Sequence, residues 1–251
     1  MIASLPMYWR DENAGLWRAF WREVQARIDL PDLTPPDALP DDWTDHWLDP
    51  ELVLSMTCGL PLRTALKDKV AYVGTLGFGL NCREGYYFSH LIAGTEPFGD
   101  SIRLAYSASD SQSGWAARFD EGPDNPPLNV GDCFETGSHA ASLAAVAEGR
   151  ADAAYIDAVT WRILRETDPN AAQVRLAGRT PPRPGLPLIA ARHIDVAPLR
   201  EALAAATRAF VADRPMLMGG TLGFHVLDET LYHDQPVPPP PPALHFPQNP
   251  A

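Results

Sequence analysis

The chain has 251 residues, of which 45% are hydrophobic and 21% charged, and its formal net charge is −12. These values predict an ordinary globular protein with one large domain or two small ones. They exclude a nucleic-acid partner, because no stripe of Lys and Arg is present to neutralise phosphates. Membrane insertion is excluded as well, because no stretch approaches the ~18 apolar residues of a spanning helix.

The first residues and the cysteines bear on the compartment. Residues 1–8 contain no basic region followed by a long apolar run, so they do not form a secretory signal. This leaves two alternatives: the protein stays in the cytosol, or its export signal lies outside this sequence. The three cysteines, Cys58, Cys82 and Cys133, contain no CxxC pair, which argues against zinc. Buried free thiols are the favoured interpretation, and one disulfide plus a free thiol is the alternative in an oxidising compartment.

The first part of the chain combines short apolar runs with one amphipathic segment. The runs predict strands at residues 2–7, 52–56, 70–75 and 86–93. Between the first two, apolar side chains recur at helical spacing over residues 16–28 and predict a helix with a broad buried face. Residues 31–49 are rich in Pro and Asp and predict a loop, while residues 62–66 predict a helical turn.

A second unit begins near residue 101. Apolar runs predict its strands, and the return to the first unit, at residues 102–106, 153–156, 174–177 and 188–191. Helices are predicted at residues 113–119, 139–148, 158–166 and 199–211. The second of these helices has the clearest signals, with Ser138 as N-cap and Gly149 just past its end. Strands that alternate with helices indicate α/β layers with mainly parallel sheets.

The end of the chain has a different character. From residue 234 onward it is dominated by proline, which predicts an extended polyproline segment. A solvated end is the favoured interpretation, and binding of a partner is the alternative.

Residues 110–114, Asp-Ser-Gln-Ser-Gly, lie at a predicted junction between a strand and a helix. A helix amino terminus has unsatisfied N–H groups and a partial positive charge, so it suits phosphate, phosphonate or carboxylate. Ser111 and Ser113 add hydroxyl donors, and Gly114 allows a ligand to approach the backbone. Taken alone, this pattern is more typical of an ordinary serine N-cap.

Residues 136–139, Thr-Gly-Ser-His, form a second polar start to a helix. Thr136, Ser138 and His139 offer two hydroxyls and an imidazole that can donate to an oxyanion. Asp157 directly follows a buried strand, where the carboxyl ends of strands in an open α/β sheet face a ligand crevice. Its alternative role is to cap the next helix, and a lone His is more often a satisfied or surface residue.

Enzyme motifs are missing from the sequence. GxSxG, Walker A and GxGxxG patterns do not occur, and the seven histidines form no HExxH or HxH pair. The sequence therefore predicts no catalytic residue, cofactor or metal, and favours binding over catalysis.

The order of these segments resembles the phosphate/phosphonate substrate-binding family of ABC importers. The resemblance rests on residues 110–114, 136–139 and 151–157, with a return segment around residues 180–187, and covers about residues 2–210. It implies an α/β type II periplasmic-binding-protein fold, with two lobes and a ligand cleft between them. The lobe boundaries implied by analogy are residues 1–95, 96–186 and 187–233, followed by a Pro-rich tail over residues 234–251.

The resemblance also implies roles for individual residues. Contacts to a small anionic ligand are implied for Ser111, Ser113, Gly114, Thr136, Ser138, His139 and Asp157, with Tyr8, Thr57 and Tyr87 closing from lobe one. It implies a non-enzymatic protein that works with an ABC permease in the periplasm. The Ser-Gln-Ser sequence differs from the Ser-Thr-Ser of phosphonate binders.

Two other functions remain as alternatives. One is an enzyme on the same fold, such as a thiamine pyrimidine-precursor synthase, with His139 or Cys58 as the nucleophile. The other is a cytosolic ligand sensor or regulatory domain, although no helix-turn-helix region precedes the fold.

Overall fold

Two five-stranded sheets and one pair of short strands organise the molecule, a computed structural model that describes residues 1–242. The strands are β1 (Ile2–Ala3), β2 (Leu52–Met56), β3 (Val70–Gly77), β4 (Tyr86–Tyr87), β5 (Ser89–Ala93), β6 (Ile102–Tyr106), β7 (Val130–Glu135), β8 (Ala153–Asp157), β9 (Arg175–Arg179), β10 (Arg183–Pro184), β11 (Pro187–Ala191) and β12 (Gly223–His225). The helices are α1 (Ala14–Gln25), α2 (Trp43–Trp47), α3 (Gly59–Arg63), α4 (His139–Ala147), α5 (Ala158–Thr167), α6 (Ala197–Ala209) and α7 (Thr230–His233). In the described part of the chain, no helix has the length and apolar character that crossing a bilayer requires.

The first sheet has the strand order β1-β2-β11-β3-β12. Trp17 and Phe20 of α1 and Leu203 of α6 pack against one face, because the apolar side chains of both helices recur at helical spacing. The opposite face is covered by α2, α3 and α7, with Trp47 and Tyr232 in the core. The first sheet is therefore buried on both faces.

The second sheet has the order β7-β6-β8-β5-β9. Leu143 of α4 and Leu164 of α5 pack on one face. The other face is covered by the stretch between β6 and β7, whose Trp115 is 1% exposed and packs in the same cluster as Leu104 and Tyr155. This irregular stretch and the start of α4 contribute one wall of the cleft described below.

The two-lobed α/β fold that the sequence predicts is confirmed, but strand pairing differs in detail. β1, β2 and β3 share a direction, whereas β11 pairs antiparallel with both β2 and β3. In the second sheet β6 pairs parallel with β7 and β8, and β5 pairs antiparallel with β8 and β9. Both sheets are thus mixed rather than mainly parallel. The chain enters the second sheet through β5 and returns to the first sheet through β11, and both of these strands are antiparallel to their neighbours.

β4 and β10 form an antiparallel pair between the two sheets, in the register Arg183 to Tyr87. We propose that the chain crosses between lobes at these two strands. Because β5 belongs to the second sheet, we propose that the boundary lies before Ser89 and not at residue 95. The apolar run over residues 86–93 contains a crossing strand and a core strand, and composition alone does not separate them.

Several predicted elements have different bounds in the structure. The strand predicted over residues 2–7 ends at Ala3, because Pro6 begins a 3₁₀ turn. The loop predicted over residues 31–49 contains α2, whose N-cap Asp42 accepts a hydrogen bond from the Thr44 amide. The helix predicted over residues 113–119 is a turn followed by a 3₁₀ segment at Ala116–Phe119. The helix after Ser138 is confirmed, with the Ser138 hydroxyl accepting from the Ala141 amide.

Two other features depart from the sequence-based expectations. β7 was not predicted from the sequence, and residues 235–242 contact the protein instead of extending into solvent. Residues 243–251 of the predicted tail lie outside the described residues. The three cysteines are free thiols, two buried and one half-buried.

Arg162 links α5 to the loops of the first lobe. Its guanidinium donates to three backbone carbonyls at 2.9–3.2 Å, those of Phe78, Gly79 and Gly219. These bonds fix the position of α5, and with it the end of β8, relative to the first sheet.

Candidate functional site

A cleft of about 540 Å³ lies between the two sheets. This volume is in the range of small-molecule sites. Six of the predicted contacts line it: Tyr8, Ser111, Ser113, Ser138, His139 and Asp157. They come from four separate segments of the chain, so the fold brings together residues that the sequence only places in order.

The serine-rich turn at residues 110–114 is separated from the end of β6 by three residues. The Ser111 hydroxyl accepts a hydrogen bond from the Gly114 amide at 2.9 Å and so closes the turn. A Cβ on Gly114 would lie 2.4 Å from the Ser107 hydroxyl, which explains why glycine is needed there. Ser107, Ser111 and Ser113 all line the cleft, so this wall presents three hydroxyls to a ligand.

The beginning of α4 forms the adjacent part of the same wall. Gly137, at φ +85°, turns the backbone so that Ser138 and His139 line the cleft. The Ser138 hydroxyl accepts from the Ala141 amide and keeps its own hydrogen for donation. A nine-residue helix also directs its positive dipole end toward this wall.

His139 lies at the centre of the wall. Its Nε2 is 2.9 Å from the Ser113 hydroxyl and 3.4 Å from a carboxylate oxygen of Asp157. Burial lowers the pKa of His139, although the nearby Asp157 carboxylate opposes this shift. The other Asp157 oxygen accepts from the Val159 and Thr160 amides, so Asp157 caps α5 and also lines the cleft.

This geometry does not build a Ser-His-Asp catalytic triad. In such a triad the carboxylate holds one ring nitrogen while the serine uses the other. Here Ser113 and Asp157 both approach Nε2 of His139. The arrangement orients the imidazole and the hydroxyl toward the cleft.

Tyr8 and Cys58 are the parts of the first lobe that face this wall. Both are buried and line the cleft. Burial, followed by the nearby Asp157 carboxylate, raises the pKa of the Tyr8 phenol, so the hydroxyl stays protonated and can donate. Burial also raises the pKa of the Cys58 thiol, whose sulfur accepts from the Gln112 amide at 3.2 Å. A protonated, engaged thiol is a poor nucleophile.

Four of the predicted contacts lie outside the cleft lining: Thr57, Tyr87, Gly114 and Thr136. Thr57 and Tyr87 are buried at the end of β2 and in β4. Gly114 serves the turn, as described above. The Thr136 hydroxyl donates within the fold, with the Tyr106 carbonyl at 3.0 Å and the Ser142 hydroxyl at 2.7 Å. We therefore do not retain these four residues as ligand contacts.

The opposite wall comes from residues that the sequence did not single out. They include three aromatic residues, Trp9, Trp43 and Trp47, and one cation, Arg10. Four aspartates also line the cleft: Asp41, Asp42, Asp110 and Asp157. Burial raises the pKa of Asp110, with a smaller contribution from the Asp42 carboxylate, so these two acidic groups face a common space. In the sequence, the signal for this wall is a short helix start, with Asp42 as N-cap before Trp43 and Trp47, which are four residues apart.

The family model described as ABC transporter, phosphonate, periplasmic substrate-binding protein matches residues 103–228. A binding protein of an ABC phosphonate transporter from Pseudomonas aeruginosa has 14% identity and a TM-score of 0.65, over 89% of this chain and 80% of that one. PhnD1 from Prochlorococcus marinus, solved with methylphosphonate, has 12% identity and a TM-score of 0.66, over 92% and 94% of the two chains. XAC2383 from Xanthomonas citri, solved with ATP, has 15% identity and a TM-score of 0.62, over 92% of both chains. At these identities the solved structures establish the fold alone. No curated protein matches the sequence.

Proposed function

Because the chain belongs to the periplasmic substrate-binding family of phosphonate ABC transporters, we propose that it captures a small phosphonate-type oxyanion in its cleft for an importer. The wall formed by Ser111, Ser113, Ser138 and His139 carries this proposal, because its hydroxyls, imidazole and helix start all present donors to one space. The family supports delivery of this ligand to a permease in the periplasm. The protein changes no bond of its ligand, consistent with the missing triad geometry and the protonated Cys58.

The acidic side of the cleft bears on the organic part of the ligand. Asp41 and Asp42 line it with Trp43, and Asp110 faces them from the serine-rich turn. Arg10 is the one cationic side chain of the described lining. A purely anionic ligand would meet repulsion there, whereas an ammonium group would be attracted to the carboxylates and aromatic faces. We propose that the ligand carries an amine beside its phosphonate.

A thermal-shift and calorimetric titration with methylphosphonate, 2-aminoethylphosphonate, phosphate and acetate tests both statements. We expect both phosphonates to stabilise the protein, and the amino compound to bind more tightly. Ser113→Ala should weaken both by about ten- to hundredfold, because a hydrogen bond to a charged group is lost. Ser101→Ala, an exposed serine outside the cleft, is the matched control.

The variant Asp42→Asn tests recognition of the amine independently of recognition of the phosphonate. Asn caps helices as well as Asp does, so α2 should persist while one charge is removed. We expect about two- to fivefold weaker binding of 2-aminoethylphosphonate and no change for methylphosphonate. Asp45→Asn, on the exposed side of α2, should change neither.

Two outcomes would contradict the proposal. Binding that Ser113→Ala leaves unchanged would place the ligand elsewhere. Conversion of either phosphonate, followed by phosphorus NMR during a long incubation, would indicate an enzyme instead of a binding protein.

A further inference from the structure

Residues 235–242, Gln-Pro-Val-Pro-Pro-Pro-Pro-Pro, form a segment that we call the proline strap. Proline fixes φ, and a residue before proline is restricted to extended backbone, so this sequence favours a polyproline II helix with three residues per turn. The burial of the strap has the same period. Gln235, Pro238 and Pro241 are half-buried, while the positions between them are exposed. One face of the helix therefore rests on the protein.

The hydrogen bonds of the strap repeat at three residues as well. The Pro236 carbonyl accepts from Nη2 of Arg63 at 3.0 Å, and the Pro239 carbonyl accepts from Nε1 of Trp115 at 2.7 Å. Both donors are buried, with Arg63 6% and Trp115 1% exposed. Among the described residues, Nε and Nη1 of Arg63 have no partner, so the strap supplies the bond that this buried guanidinium makes.

The surface around Trp115 has the chemistry that binds proline-rich chains. Phe119 packs edge-on against Trp115 with ring centroids 5.5 Å apart, and the guanidinium of Arg118 lies 4.9 Å from the centroid of each ring. Aromatic grooves of this kind dock preformed polyproline helices at low entropic cost.

The two donors belong to different lobes. Arg63 ends α3 on the first sheet, and Trp115 packs in the core of the second. Each lies a few residues from the contact where the Gln112 amide donates to the Cys58 sulfur. The strap thus crosses the lobe boundary beside the cleft, and ligand release would have to separate its two anchors.

The strap can lengthen only slightly between its two hydrogen-bonded carbonyls. Three residues of polyproline II span ~9 Å between the two accepting carbonyls, and a fully extended chain spans at most ~10–11 Å. Separation of the anchors by more than about 1–2 Å therefore breaks one of the two bonds. A flexible tail would permit such movement, whereas a stiff one resists it.

We propose that Arg63, Trp115, Arg118 and Phe119 form a docking surface for a polyproline helix, occupied by the chain's own strap, and that the strap holds the two lobes together. This connection between the lobes does not depend on which ligand the cleft binds. It sets how often the empty protein opens, and so governs the rates of ligand entry and release.

Hydrogen–deuterium exchange of the ligand-free, full-length protein tests the tie. The reporter is the Gln112 amide, which is protected by the contact between the lobes. Replacing Pro238, Pro239 and Pro240 with glycine keeps the carbonyls but removes the stiffness. We expect exchange at Gln112 to become about two- to tenfold faster, the equivalent of one lost hydrogen bond, with β2 and β8 unchanged.

A second variant removes the donor. Trp115→Phe keeps an aromatic ring but loses the N–H, and should accelerate exchange at Gln112 by a similar factor. Trp161→Phe, on α5 of the same lobe, controls for the loss of a buried indole. Because the strap and Trp115 act through one bond, the combined variant should add little to the larger single effect. Unchanged exchange in the strap variant, or fully additive effects, would overturn the proposal.

Discussion

His90 makes the stability of this protein depend on pH. It lies in β5, its ring packs edge-on against Phe88 with centroids 5.2 Å apart, and Trp161 lies 6.2 Å away. Burial lowers its pKa from 6.5 to about 4; the Asp157 carboxylate opposes the shift, and Arg179 adds to it. The folded protein therefore keeps this imidazole neutral at pH values where the unfolded chain protonates it.

The sign and size of the effect follow from proton linkage. Between pH 6.5 and about 4 the unfolded state binds more protons at this residue, so stability falls as the pH falls. A difference of 2.5 pKa units, from 6.5 to 4, corresponds to about 3 kcal/mol once the pH is below both values. About 2 kcal/mol of this should be lost already at pH 5.

Urea unfolding of the wild type and His90→Gln at pH 7, 6, 5 and 4.5 measures this contribution. The variant loses packing at every pH, so it should be less stable at pH 7. That deficit should shrink by about 2 kcal/mol between pH 7 and pH 5, because the variant cannot take up the proton. His193→Gln, at an exposed position, is the control and should follow the wild type. A deficit that stays constant across this range would refute the reasoning.

Two further predictions concern the turn and the lobe contact. Gly114→Ala should weaken phosphonate binding at least about tenfold in the calorimetric titration, because its Cβ would displace Ser107 from the cleft wall. Gly15→Ala, on the open face of α1, should instead stabilise the protein by up to ~1 kcal/mol in urea unfolding. Arg162→Met should lower the free energy of unfolding in urea by about 2–3 kcal/mol through its three lost bonds to carbonyls. Arg165→Met, exposed on the same helix, should change it little, and equal effects of the two would contradict the role given to Arg162.

Elements with local signals could be predicted from the sequence. α4 has its N-cap at Ser138 and a left-handed Gly149 after its end, and the structure reproduces both. β7 was missed, because Gly131 and Asp132 are exposed on this edge strand and no apolar run marks it. The helix predicted from residue 113 fails for a tertiary reason. Gly114 packs against Ser107 at the end of β6, and this contact, which no local propensity contains, selects the turn.

The cleft wall that contains Ser113 and His139 could also be predicted, from the order of strands and helices along the chain. Ser113, His139 and Asp157 each follow a strand or precede a helix, and the ends of strands in an α/β sheet meet at one crevice. Thr136 shows the limit of that rule. It shares the segment with His139, yet its hydroxyl turns inward to Ser142, and sequence position does not reveal which way a side chain points.

The acidic groups of the cleft could not be predicted, because the net charge of a chain does not show which charges the fold brings together. A net charge of −12 is compatible with simple solubility, and residues 31–49 suggested only a loop. Folding brings Asp41 and Asp42 from that loop opposite Asp110 of the other lobe. Like charges brought together in a cleft destabilise the empty, closed protein, and a cationic group between them removes that penalty. The carboxylates therefore favour opening of the ligand-free protein, and the proline strap opposes this opening. A bound ligand that carries an amine favours closure of the cleft.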